Sequence, residues 1–462
     1  MIKVHFIGIG GTGLSAIARV LVERGYTVSG SDRTLSSLAR ELAELGVTVF
    51  EGHSAANVAG AGLVIRSSAI KDDNPEVQAA LAAGIPVLKR ADFLGQLMLG
   101  QECIAVAGTH GKTTTTAMIA WTLTRLGLDP SYIIGGVSKN LGRNAHSGKG
   151  KYFVIEADEY DNMFLGLDPQ WAIVTIVEHD HPDCFPTPGE YHAAFVSFVN
   201  KIKPGGALLA CQDDAGAASL VNRKAPGLAF TYGTSPAAGY YAADVTPNPA
   251  GGCDFTLVLN AADADPLPLV KASLQLPGLH MVRNAAAVLA LAHRMDLPLE
   301  SAADALHEYS GTERRFDLLG EAWGVALYND YAHHPTEIKV TLAAARQFYP
   351  RRRIWAVWQP HTYSRTQTLL DGFLTAFQDA DQVLVTEIYA AREQGNGFSS
   401  SQVVSLMKHA SARYCPTLDD AARTLSSELK PGDVVLVLSA GDADKITDQI
   451  FLELKKREVQ NG

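Results

Sequence analysis

The chain has 462 residues, of which 47% are hydrophobic and 19% are charged, and its formal net charge is −10. This length predicts roughly two to four domains, because single hydrophobic cores stop growing near ~250–300 residues. The composition excludes a disordered chain, and the acidic balance argues against non-specific binding to nucleic acid or to an anionic membrane surface.

The five cysteines are scattered along the chain, and no two of them form a C-x-x-C pair. This pattern predicts free thiols in a reducing compartment rather than a disulfide framework or a zinc site. No apolar stretch approaches the ~20 residues that a membrane-spanning helix needs. We therefore expect a cytoplasmic protein without a membrane partner.

The first 98 residues read as alternating strands and helices. "KVHFI" predicts a buried strand, "GIGGTG" a glycine turn, and the helical spacing of Leu14, Ile17 and Leu21 an amphipathic helix that leads to a second strand. "VTVFEGH", "GLVIRSSAI" and "IPVLKR" continue this alternation. The segment 1–98 is therefore predicted to be a small, Rossmann-like, doubly wound domain.

Two further α/β units follow. The segment 99–313 opens with the strand "CIAVAG", a Gly-Lys-Thr loop and a helix, and predicts a central P-loop ATPase-like α/β domain. Within it, residues 225–276 alternate and are rich in turn residues, which predicts antiparallel strands on one flank. From 314 to 462, apolar strands such as "RIWAVWQPH" and "GDVVLVLSAGD" predict a third, Rossmann-like C-terminal domain.

The first glycine turn fits the pattern G-x-G-x-x-G through Gly8, Gly10 and Gly13, and Asp32 lies at the end of the next strand. Such glycines let backbone N–H groups approach a pyrophosphate. The pattern alone leaves three alternatives open: a dinucleotide site, a site for another diphosphate nucleotide, or a tight structural turn.

The second loop, "GTHGKTTTT" from 108 to 116, lies between a predicted buried strand and a predicted helix. It is shorter than the usual G-x-x-x-x-G-K-[ST] loop, because Val106 stands where the first glycine would be. Gly108 and Gly111 still permit close backbone approach, Lys112 can neutralise phosphate charge, and Thr113 can bind Mg²⁺. These residues predict a phosphate-binding loop.

Two acidic segments follow neighbouring apolar strands. The candidate ligands are Glu156, Asp158, Glu159 and Asp161 in "EADEYD", and Glu178, Asp180, His181 and Asp183 in "VEHDHPD". Because both segments follow strands of the sheet that carries the phosphate loop, they are expected at the same carboxyl edge. Carboxylate oxygens suit Mg²⁺, and one imidazole is acceptable for a second divalent ion.

Taken in order, the motifs resemble those of the Mur ligase family over essentially the whole chain. They include "GIGGTGLS", "GTHGKTTTT", "RRFD", "DYAHHPTEI" and "QPHTYSRT". The short loop G-T-x-G-K-T is similar to the ATP loop of that family. The resemblance implies three domains and the ATP-dependent joining of L-alanine to UDP-N-acetylmuramate through an acyl phosphate, with Mg²⁺ as cofactor.

The resemblance also implies roles for individual residues. The UDP-substrate would contact Gly10, Gly11, Thr12, Gly13, Asp32 and Ser67. ATP would contact Gly108, Thr109, Gly111, Lys112, Thr113, Thr114, Asn284, Arg315 and Asp330. Metal ions would be held by Thr113, Glu156 and His181. The catalytic set would be Lys112, Glu156, His181 and His333, and the amino acid would be positioned by His361 and Arg365.

Several residues depart from the family pattern: Tyr160, Ile176, Met281, Asn329, Thr362 and Arg392. Thr362 lies beside His361, in the region expected to hold the amino acid. The motif "EADEYD", in which Tyr160 stands where such a ligase usually has serine, resembles the motif of a sister ligase that attaches a recycled tripeptide. The alternatives are therefore a related ligase with another acceptor, a non-catalytic nucleotide-binding paralogue, and a nicotinamide oxidoreductase suggested by the first glycine turn. A monomer or weak homodimer is expected.

Overall fold

The structure is a computed structural model that describes residues 2–224, 227–260 and 264–461. Three β-sheets, of five, ten and six strands, follow one another along the chain, each with helices packed against it. This arrangement confirms the predicted α/β fold class with three sheet-containing units. No helix in the described ranges is long and apolar enough to cross a membrane.

The N-terminal unit is a parallel sheet with the strand order β3-β2-β1-β4-β5. Its strands are β1 (Lys3–Ile7), β2 (Thr27–Asp32), β3 (Thr48–Glu51), β4 (Leu63–Arg66) and β5 (Val87–Lys89). Its helices are α1 (Thr12–Glu23), α2 (Ser37–Glu44), α3 (Pro75–Ala82) and α4 (Arg90–Leu97), with a 3₁₀ turn at Ala55–Val58. The chain order reverses between β1 and β4, which creates a crevice at their carboxyl ends.

The central unit is built on one ten-stranded sheet with the order β15-β14-β13-β12-β11-β10-β6-β9-β7-β8. Its strands are β6 (Glu102–Ala107), β7 (Ser131–Ser138), β8 (Arg143–His146), β9 (Tyr152–Glu156), β10 (Trp171–Val174), β11 (Ala207–Cys211), β12 (Ala229–Gly233), β13 (Tyr240–Pro247), β14 (Cys253–Leu259) and β15 (Leu267–Ser273). Its helices are α5 (Lys112–Arg125), α6 (Pro188–Asn200), α7 (Ala215–Ser219), α8 (Leu279–Arg294) and α9 (Leu299–His307), with 3₁₀ turns at Tyr160–Gly166 and Leu220–Arg223.

The flank of this sheet is antiparallel, as the alternation in 225–276 predicts: β14 pairs antiparallel with both β13 and β15. Residues 225–226 and 261–263 of that segment lie outside the described residues. The middle of the sheet is parallel, and β6, β9 and β10 are buried along most of their length. Strands buried on both faces require continuous apolar sequence, which is what these segments carry.

The C-terminal unit has the strand order β16-β17-β21-β18-β19-β20, in which only the pair β16–β17 is antiparallel among the described strands. Its strands are β16 (Asp317–Ala322), β17 (Val325–Asp330), β18 (Ile354–Gln359), β19 (Gln382–Thr386), β20 (Ala412–Cys415) and β21 (Val434–Ser439). Its helices are α10 (Pro335–Phe348), α11 (Tyr363–Thr368), α12 (Leu370–Phe373), α13 (Ser400–Leu406), α14 (Leu418–Glu428) and α15 (Asp444–Asn461).

The three units are joined in two different ways. One continuous apolar core includes Ile17 and Leu21 of α1 together with Tyr132 and Phe153 of the central sheet, so the N-terminal and central units share a core. The C-terminal sheet has separate apolar clusters on its two faces. Hydrogen bonds and ion pairs, described below, link it to the central unit. Interfaces of this polar kind permit relative domain motion.

Candidate active site

The phosphate loop lies between β6 and α5, as the sequence predicts. Gly108 and Gly111 have φ angles of +132° and +82°, a region that L-residues with side chains rarely adopt. A Cβ atom at Gly108 would also overlap the hydroxyl of Thr175, the residue that follows the neighbouring strand β10. The loop therefore requires glycine at both positions, and it leaves the N-terminus of α5 open to an anion.

Lys112, the first residue of α5, is held by the protein's own acceptors. Its Nζ donates to the carbonyl oxygen of Gly108 at 2.5 Å and lies 2.9 Å from Oε2 of Glu159, a fully buried carboxyl group. Burial acts to lower the pKa of Lys112, but the nearby carboxylates, Glu159 foremost, outweigh it and raise that pKa. The loop therefore contains a permanent cation at its centre.

The predicted metal ligands lie around Glu156, at the end of β9. Its Oε1 accepts a hydrogen bond from Oγ1 of Thr113 at 3.1 Å, and its Oε2 accepts one from the backbone N–H of Gly135 at 2.7 Å. His181 lines the same cavity as Glu156 and Thr113. Burial lowers the pKa of His181 to about 4, so its imidazole is neutral, the form that binds metal ions.

The residues predicted to contact the nucleoside part of ATP line a neighbouring cavity. Its wall includes Gly111, Thr114, Asn284, Arg315 and Asp330. Burial raises the pKa of Asp330 to about 6, although Arg315 acts in the opposite direction. Because Gly111 and Arg315 also line the cavity that contains Lys112, the two cavities are continuous at the phosphate loop.

The histidine and arginine motifs of the C-terminal unit meet the central unit at Asp180. Arg365 donates from Nε to Oδ1 of Asp180 at 2.7 Å and from Nη1 to Nδ1 of His361 at 3.0 Å. His333 places its Nε2 3.8 Å from Oδ2 of the same carboxylate. Burial, together with His333 and Arg365, lowers the pKa of His361 to about 3, which keeps this imidazole neutral. These side chains therefore face the cavity of Lys112 from the opposite unit.

The first glycine turn reaches this cavity only in part. Thr12 and Gly13 line it. Gly10 donates from its backbone N–H to Oδ2 of Asp32 at 2.8 Å, so Asp32 fixes the turn itself. Gly11 is the N-cap of α1, and Ser67 lies beside Gly8 at the carboxyl end of β4. These residues lie along the crevice between β1 and β4, at one side of the cavity.

Arg90 is a feature that the sequence reasoning missed. Its guanidinium lies directly over Gly13, where any Cβ atom would overlap it, and it lines the same cavity as Lys112 and Glu156. Among the described residues Arg90 has no hydrogen-bond or ion-pair partner, and its Nε is buried. A cation without a partner beside a glycine turn is suited to bind an anion. In the sequence, only the basic pair at the end of "PVLKR" could have indicated an anion-binding side chain here.

His110, inside the phosphate loop, was also missed. Its Nε2 lies 3.0 Å from Oε2 of Glu178 in the central unit, and its Nδ1 lies 3.1 Å from Oε1 of Glu337 in α10. Burial opposes protonation, yet the hydrogen bonds that His110 donates to these two carboxylates raise the pKa of His110 to about 9. The imidazolium therefore links the phosphate loop to the C-terminal unit.

A phosphate loop that faces carboxylates from its own sheet and basic side chains from a second unit defines the site of a nucleotide-dependent enzyme. Three family models match the chain: "Mur ligase family, catalytic domain" at residues 3–102, "Mur ligase middle domain" at 106–292, and "Mur ligase, glutamate ligase domain" at 314–441. The chain belongs to the Mur ligase family and is a ligase. The oxidoreductase interpretation of the first glycine turn was therefore wrong.

Individual relatives agree with this assignment. UDP-N-acetylmuramate–L-alanine ligases of Acidobacterium capsulatum and of Geobacter sp. strain M21 are each 41% identical to this chain, and each alignment covers 98% of both proteins. The crystal structure of the UDP-N-acetylmuramate-alanine ligase MurC of Thermotoga maritima has a TM-score of 0.82 at 27% identity, with full coverage of both chains. A murein peptide ligase from Psychrobacter arcticus has a TM-score of 0.71 at 26% identity, covering 98% of this chain and 99% of its own.

Proposed function

We propose that this chain joins L-alanine to UDP-N-acetylmuramate at the expense of ATP, as an early step in the synthesis of peptidoglycan precursors. The observation that carries the proposal is the single cavity in which Lys112 and Glu156 of the central unit meet Gly13 of the N-terminal unit and His361 and Arg365 of the C-terminal unit. Such a cavity has a place for a nucleotide phosphate, an anionic sugar nucleotide and an amino acid. The names of the relatives support the same reaction.

The proposed reaction has two steps. A carboxylate oxygen of the sugar attacks the γ-phosphorus of ATP, and the bond between this phosphorus and the β,γ-bridging oxygen breaks. ADP departs, and the sugar carboxylate has become an acyl phosphate. The amine of L-alanine then attacks the acyl carbon, the bond to phosphate breaks, and the amine loses its proton as the amide forms. Neither step needs a covalent bond to the protein.

We assign each side chain a role in this reaction according to its place in the cavity. We assign Lys112, whose Nζ contacts the carbonyl oxygen of Gly108 and the carboxyl group of Glu159, to the β- and γ-phosphates. Gly108, Thr109, Gly111, Thr113 and Thr114 would surround the phosphates with the backbone and hydroxyl donors of the loop. Preorganised donors of this kind are each worth on the order of 3 kcal/mol of transition-state stabilisation.

The nucleoside of ATP is assigned to the neighbouring cavity. There Asn284, Arg315 and Asp330 would contact the adenine and ribose. His333, which lines the catalytic cavity, is assigned to the transferred phosphate. His361 and Arg365 would position the amino acid. Because Nδ1 of the neutral His361 imidazole accepts a hydrogen bond from Arg365, its Nε2–H is left to donate to the carboxylate of the amino acid.

The donor set around Glu156 fits Mg²⁺. A threonine hydroxyl and a carboxylate lie within hydrogen-bonding distance of each other, and the neutral imidazole of His181 faces the same cavity. Thr113 and Glu156 would hold one ion, and Glu156 and His181 a second. Bound Mg²⁺ would neutralise phosphate charge and polarise the phosphorus–oxygen bonds.

The UDP part is assigned to the crevice of the N-terminal unit, where Gly10, Gly11, Thr12 and Gly13 form the turn. We add Arg90 as a ligand of the diphosphate, because its guanidinium lies over Gly13 and its buried Nε has no hydrogen-bond partner among the residues that the structure describes. Asp32 and Ser67 are assigned to the uridine side of the crevice.

We accordingly propose the domain division 1–98 for the UDP-substrate, 99–313 for ATP, and 314–462 for the unit that closes on ATP and the amino acid. We propose a monomer or weak homodimer. The substrates proposed, ATP and a UDP-sugar, are cytoplasmic compounds, which supports a cytoplasmic location.

The test is release of inorganic phosphate from ATP with Mg²⁺, UDP-N-acetylmuramate and single acceptors. We expect phosphate release that requires both the sugar nucleotide and L-alanine, and that is lost in Lys112→Ala. Release that prefers the tripeptide L-alanyl-γ-D-glutamyl-meso-diaminopimelate over L-alanine would instead assign the chain to the peptide-adding reaction. The absence of release with any acceptor, or the same rate in Lys112→Ala, would overturn the proposal.

A further inference from the structure

The chain contains a strained turn between the two residues that we assign to the amino acid. Thr362, the N-cap of α11, has a φ of +65° and a ψ of +146° and is almost completely buried. A β-branched residue rarely adopts this backbone conformation, which persists only where the surrounding structure enforces it. The turn separates His361 from α11, the helix that contains Arg365. Contacts from elsewhere in the unit must therefore hold Thr362 in place.

The first of these contacts come from Tyr389, which follows β19. The backbone N–H of Thr362 donates to the carbonyl oxygen of Tyr389 at 2.9 Å, and the N–H of Tyr389 donates to the carbonyl oxygen of Pro360 at 2.8 Å. The ring of Tyr389 also stacks on the imidazole of His361, with 5.7 Å between their centres and 21° between their planes. These contacts hold the chain at and before the strained residue.

Glu393 holds the chain after the strained residue. Its Oε2 accepts hydrogen bonds from the backbone N–H groups of Tyr363 at 2.6 Å and of Ser364 at 3.0 Å, and its Oε1 accepts one from the hydroxyl of Ser364. These N–H groups belong to the first turn of α11, where a helix has no carbonyl oxygen to offer them. Within the described part of the chain, the side chain of Thr362 makes no capping hydrogen bond. Glu393 therefore takes over the capping of this helix.

The strained turn determines how His361 and Arg365 lie relative to each other. Nη1 of Arg365 donates to Nδ1 of His361 at 3.0 Å, across the turn, and both side chains line the catalytic cavity. The nucleoside cavity, in contrast, has no lining residue after Thr341 in the described part of the chain. A change in the turn should therefore affect the amino acid and not the nucleoside.

We infer that Glu393 is a positioning residue for the amino-acid acceptor: it holds the strained turn at Thr362 and so keeps His361 and Arg365 together. The inference rests on the proposed function, which assigns those two side chains to L-alanine. Without the carboxylate, Thr362 can relax toward an ordinary backbone conformation, and Arg365 then shifts relative to His361. Because Arg365 keeps its ion pair with Asp180, binding of L-alanine should be weakened rather than abolished.

The experiment measures the KM values for L-alanine, UDP-N-acetylmuramate and ATP in the full-length enzyme by release of inorganic phosphate. Glu393→Ala should raise the KM for L-alanine about tenfold and leave the other two KM values within about twofold of wild type. Glu393→Gln, which keeps one acceptor oxygen for the helix, should have an intermediate KM for L-alanine. The matched control is Asp420→Ala, which removes a carboxylate that accepts two hydrogen bonds from Thr417 at the start of α14, outside the catalytic cavity. It should leave all three KM values unchanged.

A double-mutant cycle with Thr362→Gly tests the role of the strain. Glycine adopts positive φ angles without strain, so the turn should then depend less on Glu393. In the Thr362→Gly background, the increase in the KM for L-alanine caused by Glu393→Ala should fall from about tenfold to about threefold or less. A merely structural role of Glu393 would give the same increase in both backgrounds.

The outcomes separate the inference from the proposed function. Phosphate release that requires L-alanine in wild type tests the proposed function, whereas the KM values of the variants test Glu393. Equal increases in all three KM values, or a KM for L-alanine within about twofold of wild type in Glu393→Ala, would overturn the inference. If Glu393→Ala fails to fold, Glu393→Gln is compared in the two backgrounds instead. An unchanged KM for L-alanine, or an equal rise with Thr362 and with glycine, would then overturn it.

Discussion

The imidazolium of His110 makes the stability of the protein depend on pH in a defined window. Its pKa is raised from the usual 6.5 to about 9 by Glu178 and Glu337, and the side chain is almost completely buried. One pKa unit corresponds to about 1.4 kcal/mol, so protonation of His110 stabilises the folded protein by about 3 kcal/mol. Because the folded pKa is the higher one, this stabilisation is complete below pH 6.5 and is lost as the pH rises through about 9.

Two measurements check this expectation. NMR titration of histidines labelled at Cε1, with the His110 signal identified by its loss in His110→Gln, should give a pKa near 9 in the native protein and near 6.5 in urea. The urea midpoint should then fall between pH 6.5 and 9.5 in wild type, with a smaller fall in His110→Gln. The control is His192→Gln, since His192 bonds only to Ser219 among the described side chains. A native pKa of His110 near 6.5 would refute the reasoning.

Three further predictions concern the candidate site. Lys112→Met should lower kcat on the order of a hundredfold or more, measured by phosphate release, with the UDP-sugar still bound; a loss below fivefold would contradict its role. Arg90→Ala should raise the KM for UDP-N-acetylmuramate about tenfold without changing the KM for ATP, and Arg90→Lys should have an intermediate KM for the UDP-sugar. Equal effects on both KM values would contradict the assignment of Arg90 to the diphosphate. Glu156→Gln should raise the Mg²⁺ concentration for half-maximal activity about tenfold or more, and an unaltered Mg²⁺ dependence would exclude it as a ligand.

The positions of the phosphate loop and the acidic segments could be predicted because they depend on a simple rule. Each follows a short apolar strand, and parallel strands bring their carboxyl ends to one edge of a sheet. Lys112, Glu156 and His181 therefore had to lie at the same edge, and the structure places them in one cavity.

The strand β7 could not be predicted, because its sequence is shaped by the site. Gly135 and Gly136 weaken its strand propensity. A Cβ atom at Gly135 would overlap the carboxyl group of Glu156, which accepts the hydrogen bond of the Gly135 N–H. The glycine is therefore required by the approach of backbone to carboxylate, and this requirement hides the strand from propensity-based reasoning.

The partners of Lys112 and His110 depend on contacts that sequence spacing does not encode. Glu159 belongs to an acidic run in which any member could have paired with Lys112, and only tertiary packing decides that Glu159 is the buried one. Glu337 lies 227 residues from His110 in the chain. The roles of such residues become visible only when two units are placed side by side.

The contrast between the two joints of the molecule has a mechanical consequence. The first and second units share an apolar core as well as ion pairs of Glu23 with Arg143 and His146, whereas the second and third units are linked through polar contacts of Asp180, Glu178 and Asp183. Electrolyte weakens charge attraction and leaves hydrocarbon contact almost untouched. We therefore expect added salt to loosen the third unit from the second more than the second unit from the first, because only the first joint retains a shared apolar core.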